Sequence, residues 1–265
     1  MVVGLSGGHM SSLSGKVAVV TGGSGGIGRS TALEFAKQGA DLMLQYNRGR
    51  DDAEKVAQEI SNLGRRALIT RVDFNDFKAS PQMVQEMVDL TTKQLGRVDI
   101  LVNLAGYPAK GEWNKSLLDL TPDDFLKPIY VDLFGSFLCS RALAPQFLRQ
   151  KSGVIVNVSS TPALSGYDKG FAFTVAKAGI IGLTKALAVE LAPYVRVNTV
   201  ALGNIETAWV NELSREDLIK GREENLIKRF GSPEEIAKII AFLASGDSAF
   251  INGQTLVLDG GSVLH

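Results

Sequence analysis

Along this chain, short runs of consecutive apolar residues alternate with longer stretches in which apolar positions return every three or four residues. The first run, Val17 to Val20, stops at Thr21 and a cluster of glycines; the next, Leu42 to Leu44, ends near Tyr46. Others cover residues 67–72, 99–102, 154–158, 195–200 and 256–258. Such short continuous runs, rich in β-branched residues, read as strands covered on both faces. Between them, helical spacing predicts helices over 29–38, 51–63, 80–95, 171–191 and 208–229, with Gly39, Gly64 and Gly96 as stops. Ser80-Pro81 and Ser232-Pro233 read as helix caps followed by proline in the first turn, and Thr121-Pro122-Asp123-Asp124 opens another helix with carboxylates in its first turn. Pro128 should kink or split the helix that Thr121 opens, and residues 129–148 carry apolar side chains on more than one side, as in a helix that is deeply buried or shared with another subunit. Strands and helices thus alternate over nearly the whole chain. The pattern predicts an α/β fold, a doubly wound parallel sheet of about seven strands with helices on both faces. With no repeat or Pro-rich linker to mark a boundary, residues 13–265 read as one domain, and 1–12 as a flexible leader or a cloning remnant.

The glycine cluster after the first strand is the first candidate for chemistry. Glycines let the backbone turn sharply and approach a ligand closely, and the free N–H groups of the following helix end attract an anion. Gly23-Ser24-Gly25-Gly26-Ile27-Gly28 satisfies G-x-G-x-x-G between a strand and a helix, the dinucleotide fingerprint of a Rossmann-type sheet. The same residues also satisfy G-x-S-x-G, the nucleophile elbow of serine hydrolases. Histidine usage separates the two readings. The histidines, His9 and His265, stand near the two ends, so no internal histidine can act as base for Ser24.

Composition narrows the function further. A formal charge of zero offers no basic field for nucleic acid or an anionic membrane. The single cysteine, Cys139, excludes an internal disulfide and a thiolate metal site. No uninterrupted apolar run approaches the roughly 18 residues of a spanning helix, and the first residues lack the features of a secretory signal. A cytoplasmic protein acting on a small molecule is expected.

The narrower spacing of Thr21-Gly22, three residues, Gly26-Ile27-Gly28 resembles the short-chain dehydrogenase/reductase family, and its 3-oxoacyl-acyl-carrier-protein reductase branch in overall pattern. Asn103-Leu104-Ala105-Gly106 looks like the family's N-N-A-G turn with Leu104 for the second Asn. Leu202-Gly203-Asn204-Ile205-Glu206-Thr207 resembles its P-G-x-I-x-T turn with Leu202 for proline. The resemblance implies a nicotinamide dinucleotide held by Thr21, Gly22, Ser24, Gly26, Ile27 and Gly28. Asp73 and Phe74 would lie beside the adenine, Asn103, Ala105 and Gly106 would form a wall, and Gly203, Ile205 and Thr207 would close the nicotinamide end. Where an acidic residue would bind a free ribose 2′-hydroxyl, the chain has Tyr46-Asn47-Arg48; Arg48 suits a 2′-phosphate, so NADP(H) is expected over NAD(H). The family also implies a homo-oligomer, a tetramer or dimer, using the 129–148 segment. Residues 208–230 are the natural lid over the substrate.

Catalytic members use Ser, Tyr and Lys, with Tyr four residues before Lys, and an Asn on the preceding long helix. Ser160 and Lys177 match; Phe173 stands at the tyrosine position and Asp132 at the asparagine position. A phenyl ring has no proton to give the alkoxide that forms when a carbonyl is reduced. Loss of a positioned acid costs about 10²–10⁴-fold in rate. Tyr167 is the nearest tyrosine but lies on a loop. Three readings stay open: an introduced Tyr-to-Phe change in a competent carbonyl/alcohol oxidoreductase, a natural member with other chemistry or another proton donor, and a cofactor-binding or scaffold protein without turnover.

Overall fold

A strand with apolar side chains on both faces must be covered on both, and Val17–Thr21 (β1) and Asp41–Tyr46 (β2) are buried at every position. In the computed structural model, which describes residues 13–108 and 111–264, they pair in parallel within one seven-stranded sheet. Its other strands are Ala67–Arg71 (β3), Ile100–Asn103 (β4), Gly153–Ser160 (β5), Val195–Leu202 (β6) and Thr255–Leu258 (β7). The order is β3-β2-β1-β4-β5-β6-β7 and every pairing is parallel. Chain direction across the sheet therefore reverses between β1 and β4, the switch point of a Rossmann-like α/β domain, where a crevice opens beyond the strands' carboxyl ends.

Alternating side chains build one core on each face. Leu42 and Leu44 join Phe35, Ile60 and Ile240 beneath Gly26–Lys37 (α1), Arg50–Asn62 (α2) and Pro233–Ala244 (α9). Met43, between them in β2, joins Met87, Leu101, Leu143 and Phe147 on the other face, beneath Ser80–Leu95 (α3) and Gly135–Gln150 (α5). The chain is completed by Pro122–Pro128 (α4), Pro162–Ser165 (α6), Phe171–Glu190 (α7) and Arg215–Glu223 (α8).

Three details depart from or refine the expectations. The predicted break at Pro128 takes the form of a π-helical segment, Ile129–Phe134, between α4 and α5. Such wide turns are rare and recur at functional sites; this one carries Asp132. Ser80 is not a cap: it is the first residue of α3, its hydroxyl is buried without a hydrogen-bond partner, and Asp76 Oδ1 instead accepts from the N–H groups of Lys78 and Ala79. Ser232 does form its predicted cap, and Thr121, expected to open a helix, caps one too; each closes a reciprocal box with the residue three positions on. Finally, α7 is 20 residues long and, by length and composition, apolar enough to cross a membrane, which the search for an uninterrupted run did not pick out. It lies along β5 and β6, with Ala176, Lys177, Ile180, Thr184 and Ala188 buried. The expected leader, residues 1–12, and both histidines lie outside the described residues.

Candidate functional site

The turn after β1 is built around close backbone approaches. Gly22 adopts φ +66°, and a Cβ there would lie 3.1 Å from the backbone of Ala105. A Cβ on Gly28 would come within 2.0 Å of the Gly22 carbonyl oxygen, and one on Gly26 within 3.0 Å of Thr207. Five of the expected nucleotide residues, Gly22, Gly26, Gly28, Ala105 and Thr207, thus meet in space. Helix α1 starts at Gly26 with Gly25 as its N-cap, which offers no side-chain cap to the first N–H groups. A glycine cradle at an uncapped helix start fits a phosphate by shape and by dipole. Ser24 and Ile27 are half-buried on the same turn, Ile27 packing on the core below.

Side chains from neighbouring strands hold this turn. The Thr21 hydroxyl accepts from the N–H groups of Leu104 at 2.9 Å and Ala105 at 3.0 Å, locking the end of β1 to the turn after β4. Gln45 is buried in β2; its Oε1 accepts from the Gly22 N–H at 2.9 Å and its amide donates to the Val72 carbonyl at 2.7 Å. This bracket was missed in the sequence, although a lone amide beside an apolar run was a visible signal that a buried polar group needed partners.

Beyond it lies a cavity of about 510 Å³ bordered by Gly22, Asn47, Arg48, Phe74, Gly106 and Tyr107. Asn47 donates to Asp73 at 3.1 Å, and Arg71 reaches both, at 3.3 Å. Arg48 is exposed at the rim. Tyr46 is buried, and so is Phe74, whose ring lies against Gly135. Asn103 takes a different place from the one expected of a wall residue: its side chain is buried and donates to Asn157 at 2.8 Å, linking β4 to β5. Asn157 in turn donates to Thr184 of α7. Of the three expected wall residues, Ala105 and Gly106 border the cavity.

At the other end of the crevice, Ser160 sits half-buried at the end of β5 and donates to the Leu202 carbonyl at 3.0 Å. Lys177 of α7 is buried; its ammonium donates to the Val158 carbonyl at 3.1 Å and stands 3.5 Å from Asp132 Oδ2. Asp132 is fully buried, with Oδ1 accepting from the Tyr107 N–H at 2.6 Å. Burial pushes its carboxyl upward, opposed by the Lys177 charge and the Tyr107 N–H. The Phe173 ring centroid is 5.5 Å from the ammonium, and the Trp113 ring meets Phe173 edge-on at 5.4 Å. Trp113 was not singled out in the sequence. It seats against Gly170, where a Cβ would fall 2.4 Å from its ring. Tyr167 is exposed, tilted against Trp113 at 6.2 Å, with its hydroxyl 3.5 Å from Glu224 beyond the end of α8.

The turn after β6 closes this end. Gly203 passes so near Asp259 that a Cβ would lie at 2.6 Å, Ile205 is buried and bridges to Gly231, and Thr207 rests on Gly26. Loops at the same edge of the sheet therefore converge on one crevice, with a glycine cradle at its middle and a paired lysine at its inner end.

Known proteins share this arrangement over almost the full chain. Residues 22–263 match a family model described as Enoyl-(Acyl carrier protein) reductase. A 3-oxoacyl-[acyl-carrier-protein] reductase of Synechocystis is 36% identical over 96% of this chain and 100% of its own. Among solved structures, a short-chain type dehydrogenase/reductase from Mycobacterium marinum superposes with a TM-score of 0.86 at 34% identity, over 96% of this chain and 98% of that one. A short-chain dehydrogenase from Burkholderia cenocepacia in complex with NADP gives 0.84 at 33%, over 94% and 98%. With the sheet order, the glycine cradle and this breadth of similarity in agreement, the chain belongs to the short-chain dehydrogenase/reductase family of oxidoreductases.

Proposed function

We propose that this chain binds NADP(H) in preference to NAD(H), at a site whose parent reaction interconverts a small carbonyl and alcohol, and that its turnover is limited because Phe173 fills the position of the proton donor. The observation that carries this reading is the Phe173 ring 5.5 Å from the Lys177 ammonium, one helical turn away on α7. A phenol there would be poised by that charge; a phenyl ring leaves the site without an acid.

The residues present fit the nucleotide. The N–H groups at Gly26 to Gly28 would hold the pyrophosphate, Arg48 the 2′-phosphate, and Asp73 with Phe74 the adenine, while Ile205 and Thr207 would border the nicotinamide. When bound, the cofactor supplies or accepts the hydride. Ser160 would hold the substrate oxygen by its hydroxyl, Lys177 would bind ribose hydroxyls, and the 208–230 segment would cover the substrate. Apolar exposure at Phe77, Phe137 and Leu148, continued by the ring contacts of Phe77 with Tyr130 and Phe134, supports a homo-oligomer using α5 and the π segment. The buried, thiol-protonated Cys139, its pKa pushed up to about 12, is compatible with a cytoplasmic setting.

NADPH titration by fluorescence, followed by carbonyl reduction with the chain and with Phe173→Tyr, tests the reading. NADPH is expected to bind both, and turnover to rise by about 10²-fold or more with tyrosine. Equal reduction of a carbonyl panel by the two proteins would place the acid elsewhere. NADPH binding with no turnover in either would favour the non-catalytic reading, for which the apolar ring at 173 is the motive.

A further inference from the structure

Phe173 is not the single departure at the inner end of the crevice. The carboxylate of Asp132 lies across from the Lys177 ammonium at 3.5 Å, and the two side chains are 0% and 9% exposed. No hydrogen bond reaches Asp132 Oδ2 among the described residues, so this oxygen faces Lys177 as its electrostatic partner. The remaining contacts of the pair are fixed from three directions. Tyr107 donates its N–H to Asp132 Oδ1 from the turn after β4, Val158 accepts from Lys177 on β5, and the Phe173 ring covers the ammonium from α7. A Cβ on Gly106 would lie 3.6 Å from Asp132 Oδ1 and 4.0 Å from Lys177 Nζ. The pair is therefore level with the crevice wall at a residue that has no side chain to screen it.

We propose that Asp132 is a positioning residue that neutralises Lys177, so that the site is altered at two coupled places and recovers its reductase function fully only when both Asp132 and Phe173 are changed. The inference rests on the proposed NADP(H) site. A buried lysine serves a neighbouring phenol or a bound anion by its net positive field. A carboxylate within ion-pair distance cancels much of that field, and the effect is strong where water is excluded. Asparagine keeps the size and the oxygen that accepts from Tyr107; it removes the charge and sets an amide donor in place of the oxygen that faces Lys177. Burial pushes the Asp132 carboxyl upward, and the Lys177 charge and the Tyr107 N–H oppose it.

The test is a cycle of the chain, Asp132→Asn, Phe173→Tyr and the double variant at pH 7. NADPH affinity is read by fluorescence titration and carbonyl reduction by NADPH consumption. Asp132→Asn is expected to tighten NADPH by roughly three- to tenfold with or without the change at 173, since a buried negative charge is removed beside a polyanion. The double variant is expected to turn over about tenfold faster than Phe173→Tyr alone, a non-additive gain because Asp132→Asn by itself supplies no acid. A purely structural role for Asp132 would give weaker binding and slower turnover, the opposite sign. NADPH affinity unchanged or weakened by Asp132→Asn overturns the inference, as does equal turnover of the double variant and Phe173→Tyr. If Asp132→Asn does not fold, Asp132→Ser, shorter and uncharged, takes its place in the binding arm. Absence of NADPH binding to every variant, the parent chain included, overturns the cofactor reading itself and is thereby distinguished from failure of the pairing argument.

Discussion

Replacement of Gly28 by alanine sets two effects of known sign against each other. Gly28 is in the first turn of α1, and alanine in a helix is favoured over glycine by about 1 kcal/mol. Its Cβ, however, would sit 2.0 Å from the Gly22 oxygen, 2.8 Å from the Gly22 carbonyl carbon and 3.0 Å from Gly23 Cα. Non-bonded C···O contacts sit at about 3.3 Å or more, so the turn or the helix must move by about 1.3 Å. Neither yields cheaply. The Gly22 carbonyl also accepts from the Gly25 N–H at 3.1 Å, and the Gly22 N–H is held by Gln45. Overpacking of this kind costs about 1–3 kcal/mol, which offsets the helix gain and leaves a net loss of up to about 2 kcal/mol.

The larger consequence falls on the ligand. A shift of about 1 Å misplaces the N–H groups meant for the pyrophosphate, and hydrogen bonds to a charged group contribute about 1.5–3 kcal/mol each, so loss of one weakens NADPH by at least about tenfold. Urea unfolding and NADPH fluorescence titration measure the two effects. Gly182→Ala serves as the control: it lies within α7, exposed, with no atom within 4 Å of its added Cβ. That variant is expected to gain up to about 1 kcal/mol and to bind NADPH unchanged. If Gly28→Ala is as stable as Gly182→Ala and binds NADPH like the parent, the cradle is not a phosphate site and the argument from close approach fails.

Other expectations follow from single contacts. Arg48→Ala should weaken NADPH by about tenfold or more and leave NADH unchanged; an unaltered preference between the two nucleotides would discard Arg48 as the 2′-phosphate residue. Gln45→Leu should destabilise by about 2–4 kcal/mol in urea, because the Gly22 N–H and the Val72 carbonyl both lose a buried partner. Glu235 is held at about 2 chiefly by the Arg229 guanidinium, which meets it at 2.6 and 2.7 Å. A carboxyl depressed on folding stabilises fully above its ordinary value of 4.5 and loses that contribution as pH falls toward 2. Thermal melts across this window should flatten in Glu235→Gln, and an unchanged slope would assign the acid loss to other carboxylates.

How much was legible in the sequence depended on how local the cause was. Strands were visible because burial on both faces makes them continuously apolar, and the Ser232 cap because its partner Glu235 lies within the same turn. Ser80 carried the same cap-then-proline signature and failed, because the helical turn already begins at Asp76, whose Oδ1 accepts from the N–H groups of Lys78 and Ala79 and whose carbonyl accepts from that of Ser80. The break after Pro128 was predicted, but its π form depends on how the segment packs. On α7, Gly179 packs closely, with a Cβ there falling 2.6 Å from Leu133, while Gly182 faces open space, a difference that two glycines three residues apart do not reveal in sequence. Trp113 could not be ranked above its loop neighbours because its seat, Gly170, is 57 residues away in sequence and the positive φ that creates it is invisible in composition. The Asp132–Lys177 pair is similar: each residue was noted by position, and their approach arises from a π turn and a long helix meeting over β5.

This division bears on whether binding and proton transfer are separable here. The cradle is held by Thr21 and Gln45 through backbone groups of Gly22, Leu104 and Ala105, whereas Lys177 and Asp132 are held by Val158 and Tyr107. These two sets share no hydrogen bond, and effects at sites without shared partners are expected to add. They meet through the chain itself at Ala105, Gly106 and Tyr107, where the turn locked by Thr21 runs directly into the N–H that orients Asp132. A charge change at Asp132 can therefore reach the nucleotide by field and by this one backbone step, while an aromatic change at Phe173 has no such route. Phe173→Tyr should accordingly leave NADPH affinity where it was, and an altered affinity in that variant would mean that the ring at 173, packed on Trp113, shapes the nucleotide site as well as lacking its proton.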